Sequence, residues 1–411
     1  MNLLNDLPNP QRRAIDLVRE VALEKECRPY LVGGPVRDIL LGRQAIDVDL
    51  TLEVNASTLA RALAKKLDGR VRSYPQFLTY KVTAPNFPEI DITTARKERY
   101  RKPGALPAVS AGRLKDDLLR RDFSINAIAL DVLDGGMHDP AHGANDIQAH
   151  LVRVLHDESF IDDPTRIFRA VRLAVRLDFA IEPNTEELMH VAIASDALAT
   201  VSKERIWREL FLAMDEAQAP RVITELAHHG ALNVLFGRRP NGDLRKRLDA
   251  IHGQIAGKDD IDRYVLYTGA LLRGDASPID FEGSGFSQKR ARAVVEIANE
   301  LPRVVEALGD ANEDRERFRI LRRVSPEMLA LIAAERPEER TNLQRFAEFE
   351  KFRLPLRGND LEVPGGPHIA KALERAREAV FSGEIAPEQA RSFARAEAKR
   401  LLEANRVLSP E

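Results

Sequence analysis

Cysteine is nearly missing from this chain: Cys27 is the only one in 411 residues. A single thiol excludes an intrachain disulfide and a cysteine zinc site, and it fits a reducing cytosol. No apolar run is long enough to cross a bilayer, and the opening MNLLNDLPNPQRR lacks the basic-then-apolar order of a signal peptide. These absences predict a cytoplasmic protein without membrane contact. Lopsided charge is missing too, since 62 Lys and Arg face 64 Asp and Glu for a formal net charge of −2. That balance argues against whole-surface attraction to nucleic acid but leaves a local basic face open. No repeat of fixed period runs through the chain. What is present is ordinary for a soluble globular protein, 44% hydrophobic and 31% charged, with length for roughly two to four domains.

The stretch that demands a specific chemistry is Leu31 to Leu52, LVGGPVRDILLGRQAIDVDLTL. A strand ending at Val32 runs into Gly33-Gly34, where missing β-carbons let backbone N–H groups approach an anion. Val36 to Leu41 reads as the start of a helix, which places the glycines near its positive end. Asp47 and Asp49 flank Val48 in a β-forming run, and the two-residue period of a strand sends both carboxylates to one side. Two carboxylates held that close repel unless a cation sits between them, and hard oxygen ligands suit Mg²⁺. A phosphate cradle beside magnesium carboxylates points to nucleotidyl transfer.

Residues 10 to 26 carry the spacing of an amphipathic helix. After the DVD strand come a helix around Leu59 to Leu67 and short alternating runs at Arg70 to Ser73, Thr79 to Thr83 and Glu89 to Thr93, the mixture of an α+β sheet domain. Asp91, between Ile90 and Ile92, fits two readings: a third carboxylate beside the first two, or a polar residue on the strand's wet face. Thr94 to Asp117 is rich in Arg, Lys, Pro and Gly, has little periodicity, and predicts a long mobile loop. Arg120-Arg121 can neutralise a triphosphate, while Asp122 and Asn126 offer the acceptor and donor that ribose hydroxyls require. The strongest helical pattern covers 162–180, with Pro164 at its first position and Asp163 and Arg166 sharing a face of the first turn. A fixed carboxylate beside a fixed guanidinium can read a base edge. Arg169 and Arg172 then support Asp163 or meet phosphates. From about 217 onward the pattern is helical, including Val222 to Leu235, Val265 to Leu272, Gln288 to Leu301 after a Ser287 cap, and Gln389 to Ala404. Two basic clusters, Arg315, Arg317, Arg319, Arg322, Arg323 and Arg391, Arg395, Lys399, Arg400, fit either an RNA-tracking surface or a solvated helix face.

The GG-x-V-R-D and D-x-D segments resemble the signature of polymerase-β-like nucleotidyltransferases, in the form found in class II tRNA nucleotidyltransferases and bacterial poly(A) polymerases. Arg120-Arg121-Asp122 with Asn126-Ala127 is similar to the second motif of that family. Asp139-Pro140 with Gly143 and Asp146 resembles its third, closing the catalytic domain. Asp162-Asp163-x-x-Arg166 resembles its E-D-x-x-R, with aspartate where glutamate is usual. Ser202 to Glu209 resembles the bracing motif that follows, and Ser202 reads as a helix N-cap.

The resemblance implies an α+β catalytic head with a mixed or antiparallel sheet, followed by an all-α neck, body and tail. The corresponding segments are a head at 1–150 with its N-terminal helix, a base-recognising neck at 151–216, a body at 217–302 and a tRNA-binding tail at 303–411. It implies Mg²⁺ on Asp47 and Asp49, a triphosphate held by Gly33, Gly34 and Arg37, and sugar and phosphate contacts from Arg120, Arg121, Asp122 and Asn126. It implies selection of CTP or ATP by Asp163 and Arg166 without a template, and places Arg96 and Glu98 in a flexible loop that helps the nucleotide preference change. The implied partners are ATP, CTP and the acceptor arm and 3′ end of tRNA, with no DNA and no membrane, in a monomer or dimer. CCA, CC-only, A-only and poly(A) products stay open, with the basic loop before Asp116 favouring A addition. A reading of another class is an RNA-binding protein of this fold that has lost catalysis.

Overall fold

The computed structural model describes residues 3–237, 243–255, 261–272, 281, 283–352, 354 and 356–407. The chain divides into two compact units, Met1–Arg239 with Gly283–Gly285 and Pro240–Glu282 with Phe286–Glu411. The expected head and neck fall in the first unit, the tail falls in the second, and the segment expected as a body is shared between them.

The first unit opens with helix α1 (Asn9–Glu24), which buries Ala14, Ile15, Val18, Val21 and Ala22 at the predicted spacing. Then come β1 (Pro29–Val32), α2 (Gly34–Leu40), β2 (Val48–Leu52), α3 (Ala56–Lys66), β3 (Arg70–Tyr74), β4 (Thr79–Thr83), β5 (Ile90–Thr94), β6 (Arg96–Arg99), β7 (Ala108–Ala111), α4 (Leu114–Leu119), β8 (Ala129–Asp131) and β9 (Met137–His138). The main sheet has the order β3-β4-β5-β2-β1-β8-β9. It is mixed: β2 and β5 run parallel in register Val48↔Ile90, Asp49↔Asp91 and Leu50↔Ile92, and the other pairings are antiparallel. The two-residue period separates the faces. Val48, Leu50, Leu52, Ile90 and Ile92 are each at most 2% exposed and meet the side covered by α1 and α3, whereas Asp49 and Asp91 turn to the opposite side.

The segment expected as a loop at Thr94 to Asp117 instead folds its ends into a hairpin, β6 against β7 in register Arg96↔Ala111 through Arg99↔Ala108. Arg96 and Glu98 therefore lie on a strand. RKER and AVSA carry no alternating apolar pattern, so the pairing has no signature in the local sequence.

The unit continues with α5 (Gly143–Gln148), β10 (Leu151–Val152), α6 (Ser159–Asp162), α7 (Arg166–Leu177), β11 (Ala180–Ile181), α8 (Pro183–Ala194), α9 (Lys203–Met214), α10 (Ala219–His228) and α11 (Asn233–Phe236). The helix expected over 162–180 is interrupted at its start: α6 ends at Asp162, Asp163 is extended at φ −136° and ψ 91°, and Thr165 takes the N-cap position of α7 without a side-chain capping bond. Pro164 disfavours a helical conformation at the residue before it, which accounts for the break. The helix expected over Val222 to Leu235 also breaks, at Gly230 with φ +83°, giving α10 and α11. Gly143 is required, because a β-carbon there would stand 2.1 Å from the Ser124 carbonyl oxygen. The neighbouring Asp139 carboxylate accepts from the N–H groups of Gly143 (2.7 Å) and Ala144 (2.9 Å).

The second unit is helical among its described residues: α12 (Leu244–Ile255), α13 (Arg263–Leu272), α14 (Gln288–Asp310), α15 (Asp314–Leu321), α16 (Pro326–Glu335), α17 (Arg340–Lys351), α18 (Pro367–Phe381) and α19 (Ala390–Val407). Ser287 caps α14 by accepting from the Arg290 N–H at 3.3 Å. Many guanidiniums of the two basic clusters face acids: Arg315 with Glu384, Arg319 with Glu378, Arg322 with Glu374, Arg391 with Asp360 and Arg395 with Glu362. None of the described helices is long and apolar enough to cross a membrane.

Candidate active site

The face of the sheet that carries Asp49 looks into a cavity of about 490 Å³. Its lining includes Gly34, Arg37, Asp47, Asp49, Glu98, Tyr100, Arg120, Arg121, Asp122, Asn126, Asp163, Arg166, Arg169 and Arg176. Residues from the sheet, α2, the hairpin, the segment that follows α4, and α7 thus converge on one space.

Asp47 sits one residue before β2 and is exposed, while Asp49 within the strand is half-buried. Burial, then the neighbouring charges of Asp91 and Asp47, push the Asp49 carboxyl up to about 6, against the pull of Arg121 and Lys81. Asp91 is paired laterally with Asp49. Burial raises its pKa, Lys81 opposes from 3.5 Å, and its buried Oδ1 has no hydrogen-bond partner. Three carboxylates that repel one another, one with an orphaned oxygen, form a donor set suited to a hard divalent cation.

Cationic groups line the same cavity, and one buried carboxylate organises two of them. Asp117 is 0% exposed; its Oδ1 accepts from Arg120 Nη2 at 2.7 Å and its Oδ2 from Arg121 Nη2 at 3.0 Å. Burial alone would raise its pKa, but Arg120 and Arg121 hold it below the usual carboxylate range. Glu98 from β6 accepts from Arg96 Nε at 3.1 Å, Arg120 Nη1 at 3.0 Å and the Tyr100 hydroxyl at 3.3 Å. Burial pushes the Tyr100 hydroxyl up to about 12. Arg121 lies over the glycine turn. Gly33 has φ +75°, and a β-carbon there would fall 2.6 Å from Arg121 Nη1, so the turn needs glycine for both conformation and space.

A second network joins α2 to α7. Arg37 Nη1 donates to Asn126 Oδ1 at 2.7 Å, Asn126 Nδ2 donates to Asp122 Oδ1 at 3.0 Å, and Arg169 Nη2 donates to Asp122 Oδ2 at 2.6 Å. Burial would raise the pKa of Asp122, yet the Arg169 charge with these hydrogen bonds brings it down to about 2. Arg172 does not meet Asp163; it is held by Glu209 at 2.8 Å and Glu216 at 3.2 Å.

Asp163 precedes the helix rather than belonging to its first turn, but both it and Arg166 line the cavity. Asp163 Oδ1 accepts from Thr165 Oγ1 at 2.7 Å and from Arg205 Nη2 at 2.9 Å. Arg166, 5% exposed, donates to Ser159 Oγ at 2.7 Å and to the Arg120 carbonyl at 2.9 Å. Arg205 comes from the segment expected only to brace, and it braces Asp163; Ser202 occupies the N-cap position of α9 without a side-chain bond.

Three residues escaped the sequence reading: Tyr100, Asp117 and Arg176. The spacing Arg166, Arg169, Leu173, Arg176 on one helix face was the available signal for Arg176. Asp117 had a local signal as well, since Arg120 and Arg121 stand three and four residues on, whereas Tyr100, two residues after Glu98, had none.

Residues 29–153 match the family model described as "Poly A polymerase head domain", and residues 178–242 match "Probable RNA and SrmB- binding site of polymerase A". An A-adding tRNA nucleotidyltransferase of Aquifex aeolicus is 33% identical over 346 residues, covering 80% of this chain and 41% of the relative. A CC-adding tRNA nucleotidyltransferase of Deinococcus radiodurans is 38% identical over 234 residues, covering 56% of this chain and 61% of the relative. A solved CCA-adding enzyme in an apo form superposes with a TM-score of 0.85 at 25% identity, covering 98% of both chains. The chain spans about half the length of the curated relatives it matches.

Proposed function

The chain belongs to the class II tRNA nucleotidyltransferase and bacterial poly(A) polymerase family, and from that premise we propose that it adds C, A or both from CTP and ATP to the 3′ end of tRNA, releasing pyrophosphate. The observation that carries this reading is the cavity lined together by Asp47, Asp49, Arg120, Arg121, Asp163 and Arg166, with Asp91 beside Asp49 in the β2–β5 register.

Asp47 and Asp49, with Asp91 alongside, would hold Mg²⁺; the orphaned Asp91 Oδ1 and the raised Asp49 carboxyl are what supports the fit. Held there, the cation would supply acidification of the attacking hydroxyl and positive charge to offset the departing pyrophosphate. Gly33 and Gly34 let the triphosphate approach the backbone, and Arg121 above the turn meets its charge. Arg37, Asn126 and Asp122 orient the sugar as one hydrogen-bonded unit. Asp163 keeps its second oxygen to accept from a base amino group, while Arg166 donates to ring acceptors. Arg205 locks the Asp163 carboxylate from outside.

The test is incubation of the protein with Mg²⁺ and labelled CTP or ATP on tRNAs ending before CCA, after the first C and after CC. Incorporation of C and A in order establishes CCA addition, and A alone on the CC end establishes an A-adding enzyme. Long A tails on any RNA would identify a poly(A) polymerase, and no incorporation would overturn catalysis in favour of an RNA-binding role. Arg205→Ala removes a charge-assisted hydrogen bond worth about 1.5–3 kcal/mol. It is expected to raise misincorporation of UTP or GTP relative to the preferred nucleotide by roughly 10-fold or more; unchanged selectivity would show that Asp163 needs no brace.

A further inference from the structure

A cluster with another chemistry stands on α8 and the end of α10, sharing no residue with the active-site cavity. Glu186 and His190 are four apart on α8, so they lie on one face. The rotation of that helix is set by burial of Thr185, Met189 and Ala192. The Glu182 side chain also caps it, accepting from Thr185 N–H at 2.8 Å. His229 is the C-cap of α10, its N–H bonded to the Glu225 carbonyl at 3.0 Å. The chain turns away at Gly230, whose absent β-carbon would sit 3.8 Å from Ile193 of α8. These placements bring His190 Nε2 to 2.9 Å from His229 Nδ1, and His229 Nδ1 to 3.9 Å from Glu186 Oε1. The three ligand atoms all lie within 4.8 Å of one another.

We propose that Glu186, His190 and His229 form a site for a borderline transition-metal dication such as Zn²⁺, pinning α8 to the end of α10. Ligand atoms about 2.0–2.2 Å from a tetrahedral zinc lie roughly 3.3–3.5 Å apart, and the separations of 2.9 and 3.9 Å straddle that range. His229, with a side chain 8% exposed, is held in place, whereas Glu186 is 45% exposed and can turn its carboxylate to close the remaining distance. Two imidazoles with one carboxylate suit Zn²⁺, Ni²⁺ or Cu²⁺ and not Mg²⁺. The C-terminal end of α10 contributes its negative dipole to a cation at His229. In the metal-free pair one ring donates its proton to the other. With the ion between them, the donor ring carries that proton on its far nitrogen, and each near nitrogen gives its lone pair to the metal. The exposed side of the cluster leaves the fourth position to water.

The experiment measures Zn²⁺ binding by competition with a chromophoric chelator in full-length Asp47→Asn/Asp49→Asn protein, which weakens competition from the active-site carboxylates. One bound Zn²⁺ is expected, with Co²⁺ at the same stoichiometry giving the intense visible absorption of a tetrahedral complex. Adding His190→Ala or His229→Ala is expected to weaken Zn²⁺ binding by at least about 100-fold, beyond the range typical of outer-shell changes. Adding Glu186→Gln, on an exposed side chain that folding does not need, is expected to shift the Co²⁺ spectrum. Zn²⁺ is expected to raise the melting temperature of the parent and not of the histidine variants. Equal Zn²⁺ affinity in parent and both histidine variants would overturn the site, as would no Zn²⁺ bound by the parent. Because His190 is exposed, its alanine variant tests the site without disturbing the core.

Discussion

Asparagine at position 49 is expected to abolish nucleotide incorporation, lowering the rate by at least about 10³-fold, and at the same time to make the metal-free protein more stable at pH 8. The two effects share one cause. The Asp49 carboxyl is half-buried beside Asp91 and Asp47 and titrates at about 6, against 3.8 for a free aspartate. The folded chain thus holds this proton to higher pH than the unfolded chain does. Its stability contribution is present below about pH 4, is lost as pH rises through about 6, and leaves a penalty of about 2–3 kcal/mol above that. Asparagine removes the charge and with it the penalty. In EDTA at pH 8 the Asp49→Asn protein is expected to melt above the wild type, with the gap shrinking as pH falls to 4. Mg²⁺ is expected to stabilise the wild type and leave the variant unmoved. Equal melting temperatures at both pH values, or retained incorporation, would remove Asp49 from the role assigned to it.

Asp117→Ala is expected to cost about 3–5 kcal/mol of unfolding free energy, the range for breaking a buried ion pair from one side. Asp117 is fully buried and accepts from two guanidiniums, and it is the acid in direct contact with Arg121. Removal leaves Arg121 facing the glycine turn without its ion-pair partner, and its Nε already has no partner. Because the Asp117 pKa lies below its ordinary value, its contribution is present above about pH 4 and fades as pH falls through the depressed pKa. Urea unfolding at pH 7 and pH 3 reads both effects: a large deficit at pH 7, and a smaller one at pH 3. A deficit under about 1 kcal/mol at pH 7 would mean that water or Glu98 takes over the pairing.

The sequence by itself determined the parts of this protein whose physics is local. The glycine turn, the helix behind it and the Asp47–Asp49 pair are written in successive residues, because the periods of strand and helix set which side chains share a face within a few positions. The α+β character of the first unit and the helical character of the second follow from the same periodicities, as does the Ser287 cap. Tertiary structure alone decided the rest. Asp91 joins the acidic face because β5 pairs with β2 in register, and a shift of one residue would turn it into the core. Arg205 gains its role only through Asp163, 42 residues away in the chain, the full burial of Asp117 is set by the fold although its guanidinium partners are near neighbours in sequence, and the β6–β7 hairpin forms from segments with no alternating apolar signal. The metal-ligand cluster on α8 and α10 shows both halves: Glu186 and His190 are legible as neighbours on a helix, but His229 reaches them only when α10 packs and ends beside that face.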